Sequence, residues 1–119
     1  MVSTTPDFIG TILAQLLEKQ LSDPKMLAKV QRWKMKVILD TNFYPVSMIF
    51  DDGLKIQKGV VDAPTLRVFM TFDTLIDLVK ATKSPVGAVL SGDLKIKGLF
   101  RHPLATYRFY KLIVSALRG

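Results

Sequence analysis

The sequence predicts an α+β fold: a five-stranded, mainly antiparallel sheet whose apolar face is covered by helices. Three observations predict it. Apolar residues recur every four positions near the start of the chain, at Ile9, Leu13, Leu17 and Leu21. They alternate with period two from Met35 to Met70, then return to helical spacing in later stretches, the last of which closes the chain. With 119 residues, 49% of them hydrophobic and 23% charged, the chain can bury one core. A single domain over 1–119 is expected.

The elements follow in order. Residues Thr5–Leu21 carry one apolar row at Phe8, Ile12 and Leu16 and a parallel row at Ile9, Leu13, Leu17 and Leu21, a helix with a wide buried face. Thr5 and Pro6 supply its start, and Asp7 suits the positive end of its dipole. Asp23-Pro24 opens a second short helix with Met26, Leu27, Val30 and Trp33 on one face. The alternating sets Met35, Val37, Leu39 and Val46, Met48, Phe50 then predict strands, followed by Leu54, Ile56 and by Leu66, Val68, Met70. Asp51-Asp52-Gly53 suits a hairpin, and the strands read as a meander with one apolar and one mixed face. Pro45 demands a strand start or an edge position.

Helical spacing returns over Thr71–Lys83, with Leu75, Ile76 and Val79 on one side, Asp77, Lys80 and Lys83 on the other, and Asp73 able to begin it. Within Ser84–Gly98, Ser84 is an N-cap and Pro85 the first helical residue, while Gly92 stops the short helix in a left-handed cap. From Asp93 the period is two, Leu94 and Ile96 facing one way and Lys95 and Lys97 the other. Arg101–Leu117 is the closing helix, apolar over more of its circumference than a surface helix needs.

Composition excludes several kinds of chemistry. There is no cysteine, and His102 is the single histidine, which removes thiolate nucleophiles and multi-histidine metal sites; no metal and no cofactor are expected. Asp51-Asp52 reads as a solvated turn rather than a catalytic carboxylate pair, and His102 has no Ser-His-Asp spacing around it. The glycines at 87, 92 and 98 form no phosphate-cradling loop. No catalytic residues are expected, and the chain is read as a non-enzyme.

The net charge of +7 favours anionic partners, an anionic membrane surface among them. Nucleic acid is not expected, because Phe69 and Phe72 are not interleaved with cations on one surface. No apolar run approaches the ~18 residues of a membrane span, and no basic segment precedes the first apolar stretch, so a cytoplasmic location is expected. The sequence assigns no oligomeric state.

One phrase carries a resemblance. The glycine-flanked strand Gly92-Asp93-Leu94-Lys95-Ile96-Lys97-Gly98, preceded by the short helix at Val86–Leu90, resembles the signature of the sterol carrier protein type 2 family. The match runs in order and spacing from about Met35 to Leu104. The closing Ala116-Leu117-Arg118-Gly119 departs from the receptor-read tripeptide of peroxisomal members.

The resemblance implies a hydrophobic tunnel enclosed between sheet and helices. It implies non-catalytic lipid binding and intracellular carriage of fatty acyl chains, fatty acyl-CoA, phospholipid, isoprenoid or sterol. It implies as alternative an accessory protein presenting isoprenoid quinone precursors to biosynthetic enzymes. The lipid-binding wall it implies is Met48, Phe50, Ile56, Val68 and Met70 on the sheet, with Leu75, Val79, Val89, Leu90, Phe100, Leu104 and Leu112 on the helices. Methionine's adaptable shape suits such a wall.

Overall fold

The computed structural model describes residues 2–4 and 7–118. In chain order the elements are β1 (Val2–Thr4), α1 (Phe8–Leu21), α2 (Pro24–Gln31), β2 (Lys34–Asp40), β3 (Pro45–Asp51) and β4 (Leu54–Lys58). There follow β5 (Leu66–Met70), α3 (Phe72–Val79), α4 (Pro85–Ser91), β6 (Leu94–Lys97) and α5 (Pro103–Arg118). The strands form one sheet in the order β1-β4-β3-β2-β5-β6.

The five expected strands are β2 to β6. The β2–β3, β3–β4 and β5–β6 pairings are antiparallel, while β2–β5 is parallel. A sixth strand, β1, adds a parallel edge beside β4; at three residues it is too short to show a period. The expected meander holds from β2 to β4 and then breaks. The chain leaves β4, crosses the sheet and lays β5 beside β2, so β4 and β5 are not neighbours. Pro45 takes the first position of β3, where its missing N–H costs least.

Register sets the faces. Val37 lies opposite Met48, Met48 opposite Ile56, Leu39 beside Val68, and Val68 opposite Ile96, so one apolar face runs across five strands. Ile9, Leu13, Leu17 and Leu21 of α1 and Leu112 and Ala116 of α5 join that face in one core cluster. The opposite face carries Lys36, Lys55, Arg67, Lys95 and Lys97. There, Arg67 Nε donates to Asp40 at 2.7 Å.

Helix starts follow their capping residues. Asp7 caps α1, its Oδ2 accepting from the Gly10 N–H at 2.7 Å and from the Tyr44 hydroxyl at 2.9 Å. Tyr44 Oη in turn accepts the Ile9 N–H at 2.8 Å, which fastens the helix start to the β2–β3 connection. Thr5 and Pro6, the expected start, lie outside the described residues. Thr71 rather than Asp73 caps α3, which ends at Val79 and not at Lys83; Ala81 beyond it has φ +61°. α5 begins at Pro103, with proline in the first turn.

Both glycines that flank β6 have a physical reason. Gly92 ends α4 at φ +83°, the left-handed cap expected of it. Gly98 has φ +100°, and a Cβ there would stand 2.5 Å from the Thr65 carbonyl oxygen, because β6 leaves the sheet against the start of β5.

Candidate functional site

The apolar face is not covered evenly. Over β3 and β4 the 14-residue α1 and 16-residue α5 pack closely. Phe50 lies between Trp33 and Phe109, its ring centre 5.6 Å and 6.4 Å from theirs. Over β5 and β6 the cover is α3 and α4, eight and seven residues long. These short helices do not fill the space between sheet and α5, and a cavity of about 280 Å³ remains.

Its floor is the sheet: Leu39, Met48, Leu66, Val68, Met70, Leu94 and Ile96. Leu13 and Leu16 of α1 form one side, and Thr106, Phe109, Tyr110, Ile113 and Leu117 of α5 another. Leu75, Leu78 and Val79 of α3, with Pro85, Val86, Val89 and Leu90 of α4, close the remainder. On α5 the cavity-facing residues recur at 106, 109, 110, 113 and 117, the i, i+3, i+4 spacing of one helix face.

Of the expected wall, Met48, Val68, Met70, Leu75, Val79, Val89 and Leu90 line this cavity. The other five stand elsewhere. Phe50, Ile56 and Leu112 are fully buried in the closed part of the core, where α1 and α5 leave no space. Phe100 and Leu104 are exposed, because the turn after β6 sends Leu99 to the cavity and Phe100 outward. Sequence reasoning missed Leu39, Leu66, Leu94 and Ile96, although the alternation that selects Val68 and Met70 selects them too. Register places Ile96 opposite Val68 and Leu94 opposite Met70.

The wall is chemically plain. Among the described residues no charged side chain lines it, and the polar groups there are the hydroxyls of Thr106 and Tyr110. Thr106 Oγ1 donates to the His102 carbonyl at 2.9 Å, so that hydroxyl is engaged. Such a surface accepts hydrocarbon and gives a charged headgroup nothing to bind within.

The nearest strong electrostatic feature is structural. Lys83 Nζ lies 2.6 Å from Asp93 Oδ2, and Ser91 Oγ donates to the same oxygen at 2.9 Å. Lys83 precedes the Ser84 cap of α4 and Asp93 follows its Gly92 cap, so the pair staples the two ends of the helix. Hydrogen bonds from Lys83 and then Ser91 hold the Asp93 carboxyl below its usual range, and Asp93 raises Lys83. A second, open hollow beside β5 contains Asp40, Asp93 and Lys95, but Arg67 engages Asp40 and Lys83 engages Asp93. Among the described residues no helix is long and apolar enough to cross a membrane.

Comparison with solved structures places this arrangement. The protein superposes on a UbiJ-SCP2 ubiquinone synthesis protein with a TM-score of 0.67 at 15% identity, over 91% of this chain and 95% of that one. It superposes on sterol carrier protein domain 2 of Helicoverpa armigera with a TM-score of 0.65 at 18% identity, over 98% of this chain and 95% of that one. This chain has the sterol carrier protein 2 fold. Sterol Carrier Protein 2 from Yarrowia lipolytica, in its apo form, is also similar, with a TM-score of 0.60 at 14% identity and 97% coverage of both chains. No protein-family model and no curated protein matches the sequence. At these identities the sterol carrier protein 2 likeness is one of architecture, and the ligand must be argued from the cavity.

Proposed function

We propose that the protein reversibly binds the hydrocarbon part of a lipid in the cavity beneath β5, β6 and α4, and carries it without chemical change. The observation that supports this most is the cavity itself: about 280 Å³ in a chain of 119 residues, walled by aliphatic side chains. A closed native core leaves few voids larger than a water molecule. The size limits the cargo. A dry apolar cavity of ~150 Å³ accommodates benzene, so this one has room for about ten to twelve carbons. A single acyl or isoprenoid chain fits in part, with its headgroup outside; a whole sterol does not.

The absence of charged groups from the wall supports carriage over catalysis, since acid–base chemistry needs a titratable group within reach of the bound atoms. Names of two fold neighbours also support lipid carriage, as sterol carrier proteins.

Native mass spectrometry of gently purified protein, followed by organic extraction, tests the reading. The expected result is a stoichiometric lipid. An acyl lipid in the extract assigns general carriage, and a prenylated quinone precursor assigns service to a biosynthetic enzyme. A clean apo mass, with no uptake of a fluorescent fatty acid, would overturn the proposal.

A further inference from the structure

The cavity has two borders of different character. Val86, Val89, Leu90 and Tyr110 line it while standing exposed, so it opens between α4 and α5. Among the described residues no charged group lines that opening. The other border is at Met70, which lines both the cavity and the open hollow beside β5, a space of about 490 Å³. Met70 ends β5 opposite Leu94, which begins β6. Leu94 still lines the cavity, whereas its two chain neighbours, Asp93 and Lys95, line the hollow. Hydrocarbon space and polar space therefore meet at one residue pair.

Most polar groups of the hollow are engaged. Arg67 pairs with Asp40, Lys83 and Ser91 hold Asp93, and Thr41 Oγ1 donates to the Tyr44 carbonyl at 3.0 Å. Two groups remain. Lys95 Nζ has neither an ion-pair nor a hydrogen-bond partner among the described residues, so it is the charge left over once both carboxylates are paired. Thr74 lines the hollow while only 6% exposed, and Thr71 Oγ1 donates to its hydroxyl oxygen at 3.1 Å. That leaves the Thr74 hydroxyl proton with no acceptor among the described residues. The other buried polar side chain described, Ser47, donates to the Gly59 carbonyl at 2.7 Å.

Resting on the hydrocarbon-binding reading above, we propose that the hollow holds the anionic head, carboxylate or phosphate, of the lipid whose chain fills the cavity. Lys95 meets the head's charge and Thr74 donates to one of its oxygens, while the chain passes Met70 into the apolar space. Hydrogen bonds to an ionised acceptor are the strong ones, and the cavity wall offers no comparable group to a charged head. A cationic head would need a free carboxylate, and Asp40 and Asp93 are both paired. Lysine on an edge strand also deters strand pairing, a role open to Lys95 and Lys97 alike. Lys95 lines the hollow and Lys97 does not, which makes Lys97 the control.

Isothermal titration calorimetry at low ionic strength with decanoate, decyl phosphate and decanol tests the site. The three probes share a chain of the length the cavity admits and differ in the head. Wild type is expected to bind both anions at least threefold tighter than decanol. Lys95→Met should bring the anions to within twofold of decanol, leave decanol within twofold of wild type, and be rescued by Lys95→Arg. Thr74→Val, which keeps the shape and removes the hydroxyl, should weaken both anions at least twofold at unchanged circular dichroism. Lys97→Met, and Arg101→Gln/Lys111→Gln on the α5 side, should keep the full preference. Whichever anion binds tighter names the head, and either one supports the site.

Equal affinity for the anions and decanol would overturn the head site and leave carriage standing. So would an anion preference indifferent to Lys95→Met and Thr74→Val, or one lost equally in Lys97→Met or Arg101→Gln/Lys111→Gln. Failure of all three probes to bind would remove carriage, and the head site with it.

Discussion

Replacing Met70 by Trp tests whether the space beneath β5 is open. Met70 is half-buried on the cavity floor, opposite Leu94 and two residues along the strand from Val68. Trp adds about 60 Å³ over Met, roughly a fifth of the cavity, and at ~24 cal/mol per Å³ of void filled this stabilises the fold by ~1.5 kcal/mol. For a domain of this size that raises the midpoint of thermal unfolding by about 5 °C. The same volume is withdrawn from the ligand. Losing the burial of about two methylenes costs ~1.6 kcal/mol, or about tenfold in Kd.

Two assays read the two arms: thermal unfolding by circular dichroism, and titration with a fluorescent fatty acid. In a closed core the same change would over-pack the site and destabilise it by ~1–3 kcal/mol. A midpoint that falls by several degrees, with the folded protein binding fatty acid at wild-type affinity, would refute the reasoning. Phe50→Ala is the companion, because Phe50 is fully buried between Trp33 and Phe109 and does not itself line the cavity. It should cost ~3–5 kcal/mol of stability and shift fatty acid affinity less than twofold in the folded fraction.

The other predictions concern what holds the cavity's frame. Gly98→Ala forces a Cβ to 2.5 Å from the Thr65 carbonyl at a positive φ, whereas a Cβ on Gly92 meets nothing within 4 Å. Urea denaturation should therefore show Gly98→Ala costing at least ~2 kcal/mol more than Gly92→Ala, which carries only the left-handed penalty of ~1–2 kcal/mol. Tyr44→Phe removes the hydroxyl that accepts the Ile9 N–H and donates to Asp7; the expected loss is ~1–2 kcal/mol, with faster amide exchange in the first turn of α1. Asp93→Asn breaks the staple across α4. Because pairing lowers Asp93 below an ordinary 3.8 and raises Lys83 above 10.5, its contribution is full between those values. It is lost as pH falls through the lowered carboxyl or rises through the raised ammonium. The midpoint difference between wild type and Asp93→Asn should be level from about pH 5 to 9 and shrink below about pH 4; a difference that grows on acidification would contradict the pairing.

What was legible in the sequence, and what was not, divides along the line between local and non-local physics. Asp23-Pro24, Ser84-Pro85 and Gly92 act on their own backbone, and each sits at the helix boundary it implies. The inward face of every strand from β2 to β6 was legible for the same reason, since alternation is local. The parallel β2–β5 pairing was not, because nothing in Leu66–Met70 says which strand it will meet. The cavity wall divides in the same way. Met48, Phe50 and Ile56 share a face and a pattern, yet Met48 borders empty space while Phe50 and Ile56 do not.

That difference lies in the cover. Two long helices meet over β3 and β4, and two short ones stop short over β5 and β6. The lengths of α1, α4 and α5 were nearly readable, whereas α3 stops at Val79, short of the expected Lys83; where each helix would lie over the sheet was not readable. This is also why α4 is the informative element. Seven residues long, it buries Ala88 and leaves Val86, Val89 and Leu90 exposed at the opening, an arrangement that no closed core requires. On the proposed carriage reading, a helix that shields a cavity from water while letting a hydrocarbon chain pass has to be short, apolar on its inner edge and tied at its ends. Lys83 and Asp93 supply that tie.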